Sequence, residues 1–143
     1  AEITVDTLTG EIKVDKITSA QDVGRVINRM GLEAQTEGGI AIGLGYALSE
    51  NMQLEQGILR NPSFRDYKLV TAPEMPELEM HFIESNCAEG PYGAKGVSEL
   101  PTIVIAPAIA NALFNATGVR IFNPPLSPEK VARAIYEKQQ SGK

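Results

Sequence analysis

The sequence predicts an α+β fold that combines mixed β-strands with glycine-rich and alanine-rich helices. Apolar and polar residues alternate near the N-terminus, which is the pattern of half-buried strands. A helix-length stretch over 32–50 carries four glycines, and an apolar, alanine-rich stretch over 101–116 stops before Gly118. Residues 1–143 are expected to form a single domain, because about 100–200 residues is the usual domain length.

The first 25 residues predict a hairpin and then a tight turn. Apolar residues alternate with polar ones over 3–5 and recur over 12–17, and Thr9-Gly10 between these runs is a turn signal. The pattern breaks at 22–25, where Gly24 indicates an unusual backbone dihedral angle.

The stretch Leu32–Glu50 predicts a helix of unusual composition. It contains Gly38, Gly39, Gly43 and Gly45, and each glycine costs a helix about 1 kcal/mol relative to alanine. Two interpretations stay open: close packing against another element, or close approach of the backbone to a ligand. The spacing matches neither the dinucleotide fingerprint nor the phosphate-binding loop.

The central segment predicts short strands separated by turns. Residues 52–58 indicate a strand ended by Gly57, 61–63 a turn, and 64–72 an extended stretch. Alternation over 78–83 indicates a further strand with His81 on its more polar side. A solvent-facing histidine is the ordinary interpretation of that position, and a catalytic role is the alternative.

The C-terminal part predicts two helices. Pro101 and Pro107 both suit a first helical turn, so the apolar helix is expected to begin twice and to end at Gly118. Residues 118–122 indicate a strand. Ser127 is expected to cap a last helix with an apolar stripe, which frays over 139–143.

Composition excludes several classes of function. The net charge is −5, which disfavours nucleic acid and anionic lipid as partners. One cysteine, Cys87, and one histidine leave no internal disulfide, Cys-rich zinc site or iron–sulfur cluster in this chain. No apolar run approaches the ~20 residues of a membrane span, so no membrane is expected. The cysteine usage fits a reducing compartment, and we expect a cytoplasmic protein.

The glycine-rich segment 90–99 is the part of the chain best suited to chemistry. Its glycines keep it irregular, and Glu99 stands directly before the apolar helix. A carboxylate between apolar side chains and the positive end of a helix dipole can serve as a general base. The alternative is an acid that only caps the helix.

Five segments carry a family resemblance through their order and spacing. They are Asp22-Val23-Gly24-Arg25 with Ile27-Asn28, Gln35-Thr36-Glu37-Gly38-Gly39 with Gly43–Leu48, Asp66-Tyr67 with Pro73, Gly93–Glu99, and Ala106–Ala112. Together they resemble the C-terminal part of the molybdenum-binding (molybdopterin) subunit of the xanthine dehydrogenase/aldehyde oxidase family, the molybdenum hydroxylases. The resemblance covers nearly the whole chain.

The resemblance implies an oxidoreductase that hydroxylates an N-heterocycle or an aldehyde with oxygen derived from water. Glu99 matches the base that deprotonates a hydroxide on molybdenum. Gln35 matches a residue that hydrogen-bonds near the dithiolene end of molybdopterin, whether plain or in the cytosine dinucleotide form. The dithiolene holds the metal, so no metal ligand is expected in this chain. Gly38, Gly39, Gly96, Val97 and Ser98 match positions beside the cofactor.

The resemblance also implies partners. Electrons leave through iron–sulfur clusters and FAD on other domains or subunits. The family's molybdenum subunit is several times longer, so we expect this chain to be part of a larger subunit and inactive alone. Exposed apolar surface near 38–45 or 101–117, with self-association, is a further expectation.

Two other functions stay open at this point. Most family members have glycine where this chain has Ser98, which leaves room for a non-catalytic assembly module that retains the fold. The other alternative is an unrelated small ligand-binding domain whose glycines serve packing only.

Overall fold

A computed structural model describes residues 1–141, and it has the α+β architecture that the sequence predicts. The strands are short except for one central strand, and the helices occupy the middle and the end of the chain. In chain order the elements are β1 (Glu2–Val5), β2 (Ile12–Asp22), α1 (Arg29–Leu48), β3 (Leu54–Glu55), β4 (Ile58–Leu59), β5 (Glu77–Ile83), α2 (Leu100–Ile103), α3 (Ile105–Thr117) and α4 (Pro128–Ser141).

The main sheet has three strands in the order β1-β2-β5. β1 and β2 form the predicted antiparallel hairpin. β5 runs parallel to β2, with Lys16 opposite Glu77 at one end and Asp22 opposite Ile83 at the other. Because β2 and β5 end side by side, the segments that follow them leave the sheet at the same edge.

The hydrophobic core lies between this sheet and the helices. Ile40 and Leu44 of α1 and Ile109 and Leu113 of α3 are at most 1% exposed. Burial of one such side chain stabilises a fold by about 1.5–3 kcal/mol. The predicted apolar stripe of the last helix is confirmed: its buried members are Val131 and Ile135, and Ala134 packs beside them.

Local signals set most helix boundaries. The apolar helix does begin twice, with a break at Val104, although its main body begins at Ile105 rather than Pro107. Gly118 ends it with a φ of +68°, a left-handed conformation that glycine adopts at little cost. The glycine-rich helix begins at Arg29, earlier than predicted, because Asn28 Oδ1 accepts the Gly31 amide at 3.0 Å.

Three predictions for the irregular regions were wrong. Residues 52–58 form not one strand but the β3–β4 hairpin, which turns at Gln56-Gly57. The first part of 64–72 is not extended, because the Asp66 and Tyr67 amides both bond to the Ser63 carbonyl and close a turn, whereas Thr71 does have an extended backbone. Residues 118–122 form no strand, since the Val119 amide bonds to the Thr117 hydroxyl instead.

The C-terminal helix is longer than predicted. The α4 helix continues through Ser141, so residues 139–141 are helical rather than frayed. The remaining two residues of the predicted tail, 142 and 143, lie outside the described part of the chain.

The expectation that no apolar run approaches the length of a membrane span was also wrong. Leu100–Thr117 has a mean hydropathy of 1.4 over 18 residues, so by length and composition it could cross a membrane. Three residues of this stretch, Ile105, Ile109 and Leu113, belong to the hydrophobic core. The stretch as a whole is only 22% buried. Such a stretch is weak support for a membrane span, because core helices of folded domains share its composition.

Candidate functional site

Glu99 stands at the first turn of α2 with its side chain exposed. Its main-chain carbonyl accepts hydrogen bonds from the Thr102 and Ile103 amides at 3.1 and 3.2 Å. The carboxylate makes no capping hydrogen bond to the helix. The backbone of Glu99 is therefore fixed, and its carboxylate is free to meet a substrate or cofactor. A glutamate that only caps a helix would instead use its carboxylate to accept the helix amides.

Two glycines of α1 set the position of α2 and of the start of α3. A Cβ atom on Gly39 would lie 2.5 Å from Pro101 Cγ, and one on Gly43 would lie 2.6 Å from Ile105 Cβ. Any side chain there would push the helices apart, so the packing interpretation is correct for both positions. The space where a Gly45 side chain would stand is likewise occupied by the Glu50 side chain.

Gly38 differs from its neighbours. A Cβ atom there would meet nothing within 4 Å in the part of the chain that the structure describes. Packing among the described residues therefore gives no reason for glycine at position 38. The ligand interpretation stays a prediction for Gly38 and, beside its packing role, for Gly39.

Gln35 lies on α1 four residues before Gly39, about 6 Å along the helix axis, and is exposed. Residues four apart share a helix face, so the Gly39–Pro101 contact brings the side of α1 that carries Gln35 to the start of α2. The Gln35 helix and the Glu99 helix are thus direct neighbours. The loop before Glu99 also reaches α1, because Val97 and Leu32 line a common cavity of about 150 Å³.

The loop residues Gly96, Val97 and Ser98 leave hydrogen-bonding groups available. Within residues 1–141 their main-chain amides donate to no acceptor, and the exposed Ser98 hydroxyl has no partner either. A Cβ atom on Gly96 would meet open space. Consecutive unpaired amides are donors that an oxygen-rich or nitrogen-rich ligand can use.

The loop is fixed by residues that the sequence analysis did not assign to the site. Asp22, the last residue of β2, accepts the Lys95 ammonium at 2.6 Å, the Ser85 hydroxyl at 2.8 Å and the Gly24 amide at 2.9 Å. The Lys95 ammonium above all, with the Gly24 amide and the Ser85 hydroxyl, holds the pKa of Asp22 well below its usual range. Asp22 in turn raises the pKa of Lys95.

The predicted unusual dihedral of Gly24 is confirmed by a φ of +69°. A Cβ atom there would collide with the Gly93 carbonyl and lie 3.1 Å from the Lys95 amide nitrogen. Glycine at this position therefore lets the loop backbone lie directly against the turn. The one sequence cue for this contact is the position of Gly24 two residues after the end of a long strand.

Two other candidate features are set apart from this loop. His81 is exposed, as its ordinary interpretation predicts, and lies 2.9 Å from Glu79. A cavity of about 470 Å³ between β2 and the α2–α3 segment is lined in part by Leu100 and by Gln21, whose buried Oε1 has no donor within residues 1–141. Glu99 and Gln35 do not line that cavity.

Comparison with known proteins identifies the family. Residues 1–76 match the family model of a molybdopterin cofactor-binding domain. The xanthine dehydrogenase molybdenum-binding subunit of Escherichia coli O157:H7 is 39% identical over 139 residues, which are 96% of this chain and 18% of that protein.

Solved structures agree with that match. The aldehyde oxidoreductase of Desulfovibrio gigas superposes with a TM-score of 0.86 at 35% identity, over 94% of this chain and 15% of that one. The quinoline 2-oxidoreductase of Pseudomonas putida 86 superposes with a TM-score of 0.87 at 29% identity, over 94% and 18%. The chain thus spans less than a fifth of the length of the relatives it matches.

The fold and the matches define a domain of the molybdenum-dependent oxidoreductases. The chain belongs to the molybdopterin cofactor-binding domain family and corresponds to part of the molybdenum-binding subunits of xanthine dehydrogenases and aldehyde oxidoreductases. This membership excludes the unrelated ligand-binding domain.

The described residues fit a molybdopterin group. Such a group carries many oxygen and nitrogen acceptors, and the amides of 96–98 and the exposed Gln35 amide are donors suited to them. Gly38 and Gly96 leave space where a side chain would stand. No cluster of three or more His, Cys, Asp or Glu side chains that could hold a metal occurs within residues 1–141. The donors of Gln35 and of 96–98 would contact the organic part of the cofactor.

Proposed function

We propose that this chain is the catalytic-base domain of a xanthine dehydrogenase-like molybdenum hydroxylase. The enzyme hydroxylates an N-heterocycle or an aldehyde with oxygen derived from water. The names of the relatives support both substrate classes, since one is a quinoline oxidoreductase and another an aldehyde oxidoreductase. The observation that carries the proposal is the exposed Glu99 carboxylate, which makes no capping hydrogen bond and stands between the 96–98 loop in sequence and the helix that packs on Gly39 of α1.

The chain's own residues have distinct tasks in this proposal. The molybdenum cofactor, when bound, supplies the redox chemistry. Gln35 and the main-chain amides of 96–98 hold its organic part, and Gly38 lets it approach α1. A Glu99 carboxylate oxygen accepts the proton that the water-derived oxygen must lose, as a general base does. The fixed backbone of Glu99 keeps the carboxylate group close to its working position. Less orientational entropy is therefore lost when the proton is transferred.

The proposal includes partners and location. A chain that spans less than a fifth of its relatives' length needs the remainder of a molybdenum subunit to enclose cofactor and substrate. Electrons then pass to iron–sulfur clusters and FAD on other domains or subunits. We propose a cytoplasmic complex, and we expect the 143-residue chain alone to be inactive.

The test is the substitution Glu99→Gln in the full-length protein with its natural partners. Loss of one general base lowers turnover by roughly 100- to 10,000-fold. The amide keeps the size of the side chain, so the molybdenum content should stay at the wild-type level. Turnover is measured with N-heterocycles and aldehydes, and molybdenum by elemental analysis of the same samples.

The matched control is Glu89→Gln, which neutralises another exposed glutamate directly before the glycine-rich segment. It should leave turnover within about twofold of wild type, because surface substitutions away from a site change little. Wild-type turnover in Glu99→Gln would refute the catalytic assignment. Absence of molybdenum from the complete natural complex would instead favour the assembly module.

A further inference from the structure

Three segments that are distant in sequence meet where β2 and β5 end. They are the turn 22–25 after β2, the segment 84–87 after β5, and the loop 93–95. Main-chain hydrogen bonds tie each to another: the Asn86 amide bonds to the Gly24 carbonyl at 2.8 Å and the Cys87 amide to the Gly93 carbonyl at 3.0 Å. The Lys95 amide bonds to the Val23 carbonyl at 2.9 Å.

One carboxylate joins all three segments. Asp22 accepts a donor from its own turn (Gly24), one from the segment after β5 (Ser85) and one from the loop (Lys95). Its oxygens are divided between them, with Oδ2 on Lys95 and Oδ1 on the other two. No other carboxylate within residues 1–141 combines donors from three such segments.

Lys95 is therefore held at both ends. Its amide bonds to the main chain of the turn, and its ammonium bonds to Asp22. Glu99, four residues later, is held by α2, which packs on Gly39. Gly96, Val97 and Ser98 span the gap between these two anchors and make no main-chain hydrogen bond of their own within the described chain.

We infer that Asp22 and Lys95 are positioning residues that set the 96–98 backbone and, through it, the Glu99 carboxylate for the reaction. This inference rests on the proposed function. Neither residue needs to touch the cofactor or the substrate. Their effect comes from fixing one end of a three-residue span whose other end α2 fixes.

A matched ion pair elsewhere separates this role from ordinary surface electrostatics. Lys16 and Glu79 also join β2 to β5, also at 2.6 Å, and are 26% and 43% exposed. The Lys95–Asp22 pair has the same length, with 37% and 39% exposure. Exposed pairs of this kind contribute little to stability on their own, so any special effect of Asp22 must come from its place at the loop.

The test uses Asp22→Asn, Lys95→Met, Lys95→Arg and the control Lys16→Met in the full-length protein with its partners. For Asp22→Asn and Lys95→Met we expect kcat to fall roughly 10- to 100-fold, because a displacement of about 1 Å at a reacting group has effects of that size. KM should change less than about twofold, since groups that bind substrate stay in place. Lys95→Arg keeps the charge and should recover most of kcat, and Lys16→Met should match wild type.

A second readout does not depend on activity. Hydrogen exchange of the Lys95 amide, which bonds to the Val23 carbonyl, should accelerate at least tenfold in Asp22→Asn and Lys95→Met, while exchange in α1 stays unchanged. Molybdenum content is measured in the same samples. Unchanged exchange of the Lys95 amide, or equal effects in Lys16→Met, would overturn the inference. A kcat loss that Lys95→Arg does not recover would also contradict it.

These outcomes stay separable from those of the proposed function. If Glu99→Gln retains turnover while Asp22→Asn still frees the loop, the catalytic assignment fails and the anchoring of the loop stands. If Glu99→Gln is inactive and the loop variants behave as wild type, the catalytic assignment stands and the inference fails.

Discussion

At the scale of single residues, Asp22 shows how one side chain can fix a loop far away in sequence. Its partner Lys95 is 73 residues distant along the chain, and the two meet only because β2 and β5 pair in parallel. The carboxylate accepts three donors in its charged form. Each donor favours ionisation, which is why the pKa of Asp22 lies below its ordinary value.

This pKa shift predicts the direction of a pH effect. A carboxyl group whose pKa is lower in the folded state contributes stability that is fully present above its unfolded pKa of about 3.9. That contribution is lost as the pH falls from there through the folded pKa. The protection of the Lys95 amide against hydrogen exchange, corrected for intrinsic rates, should therefore fall below about pH 4.

The Asp22→Asn variant is the control for this prediction. Its side chain does not titrate, so the protection of the Lys95 amide should be low and nearly flat over the same pH range. The same fall in wild type and variant would show that another group is responsible.

At the scale of elements, the contact of α1 with α2 and the start of α3 decides where Glu99 lies. The helices approach closely because Gly39 and Gly43 present no side chains toward Pro101 and Ile105. The cost of glycine in a helix, about 1 kcal/mol each, is offset by this packing. Gly38 has the same cost without a packing partner within residues 1–141.

Alanine substitutions on the two adjacent glycines should therefore have opposite effects on stability. Gly39→Ala adds a Cβ atom 2.5 Å from Pro101 and should destabilise the fold by about 1–3 kcal/mol, as over-packing does. Gly38→Ala meets open space and should stabilise α1 by up to about 1 kcal/mol. The measurement is local unfolding of α1 in the full-length protein, from hydrogen exchange in denaturant.

The molybdenum content of the same two variants tests the ligand interpretation of Gly38. If the cofactor approaches α1 there, Gly38→Ala should lower molybdenum content while leaving the helix stable. Full molybdenum content in Gly38→Ala would assign that glycine no part in binding.

At the scale of the whole molecule, several large apolar side chains face outward. Ile103 and Val104 of the α2–α3 segment are 66% and 53% exposed, and Ile42 and Tyr46 of α1 are 48% and 53% exposed. Exposed apolar surface of this kind commonly marks an interface. In the relatives, this domain is less than a fifth of a much longer subunit, which offers surface to cover it.

The 143-residue chain on its own should therefore self-associate. Sedimentation velocity should show a mass that rises with concentration, and Ile103→Ser together with Ile42→Ser should reduce this rise. Leu8→Ser, at an 89% exposed position in the β1–β2 hairpin, is the control and should leave it unchanged. A monomer at all concentrations would contradict this prediction.

The sequence by itself determined the features that depend on neighbouring residues. Alternation identified the β1–β2 hairpin, two prolines and Gly118 identified the broken α2–α3 segment, and the 90–99 segment identified Glu99 as a candidate base. Each of these depends on local backbone preference or on periodicity, which act over a few residues. The order of the motifs also indicated the family, which the comparisons confirm.

Only the tertiary structure decided the features that depend on distant contacts. The same local preferences suggested a strand over 118–122, but these residues join no strand of either sheet. The parallel pairing of β2 with β5, the packing of Gly39 on Pro101 and the joining of Asp22 to Lys95 all connect residues more than 50 positions apart. No local preference encodes such contacts, because they form only when burial of the common core brings the segments together.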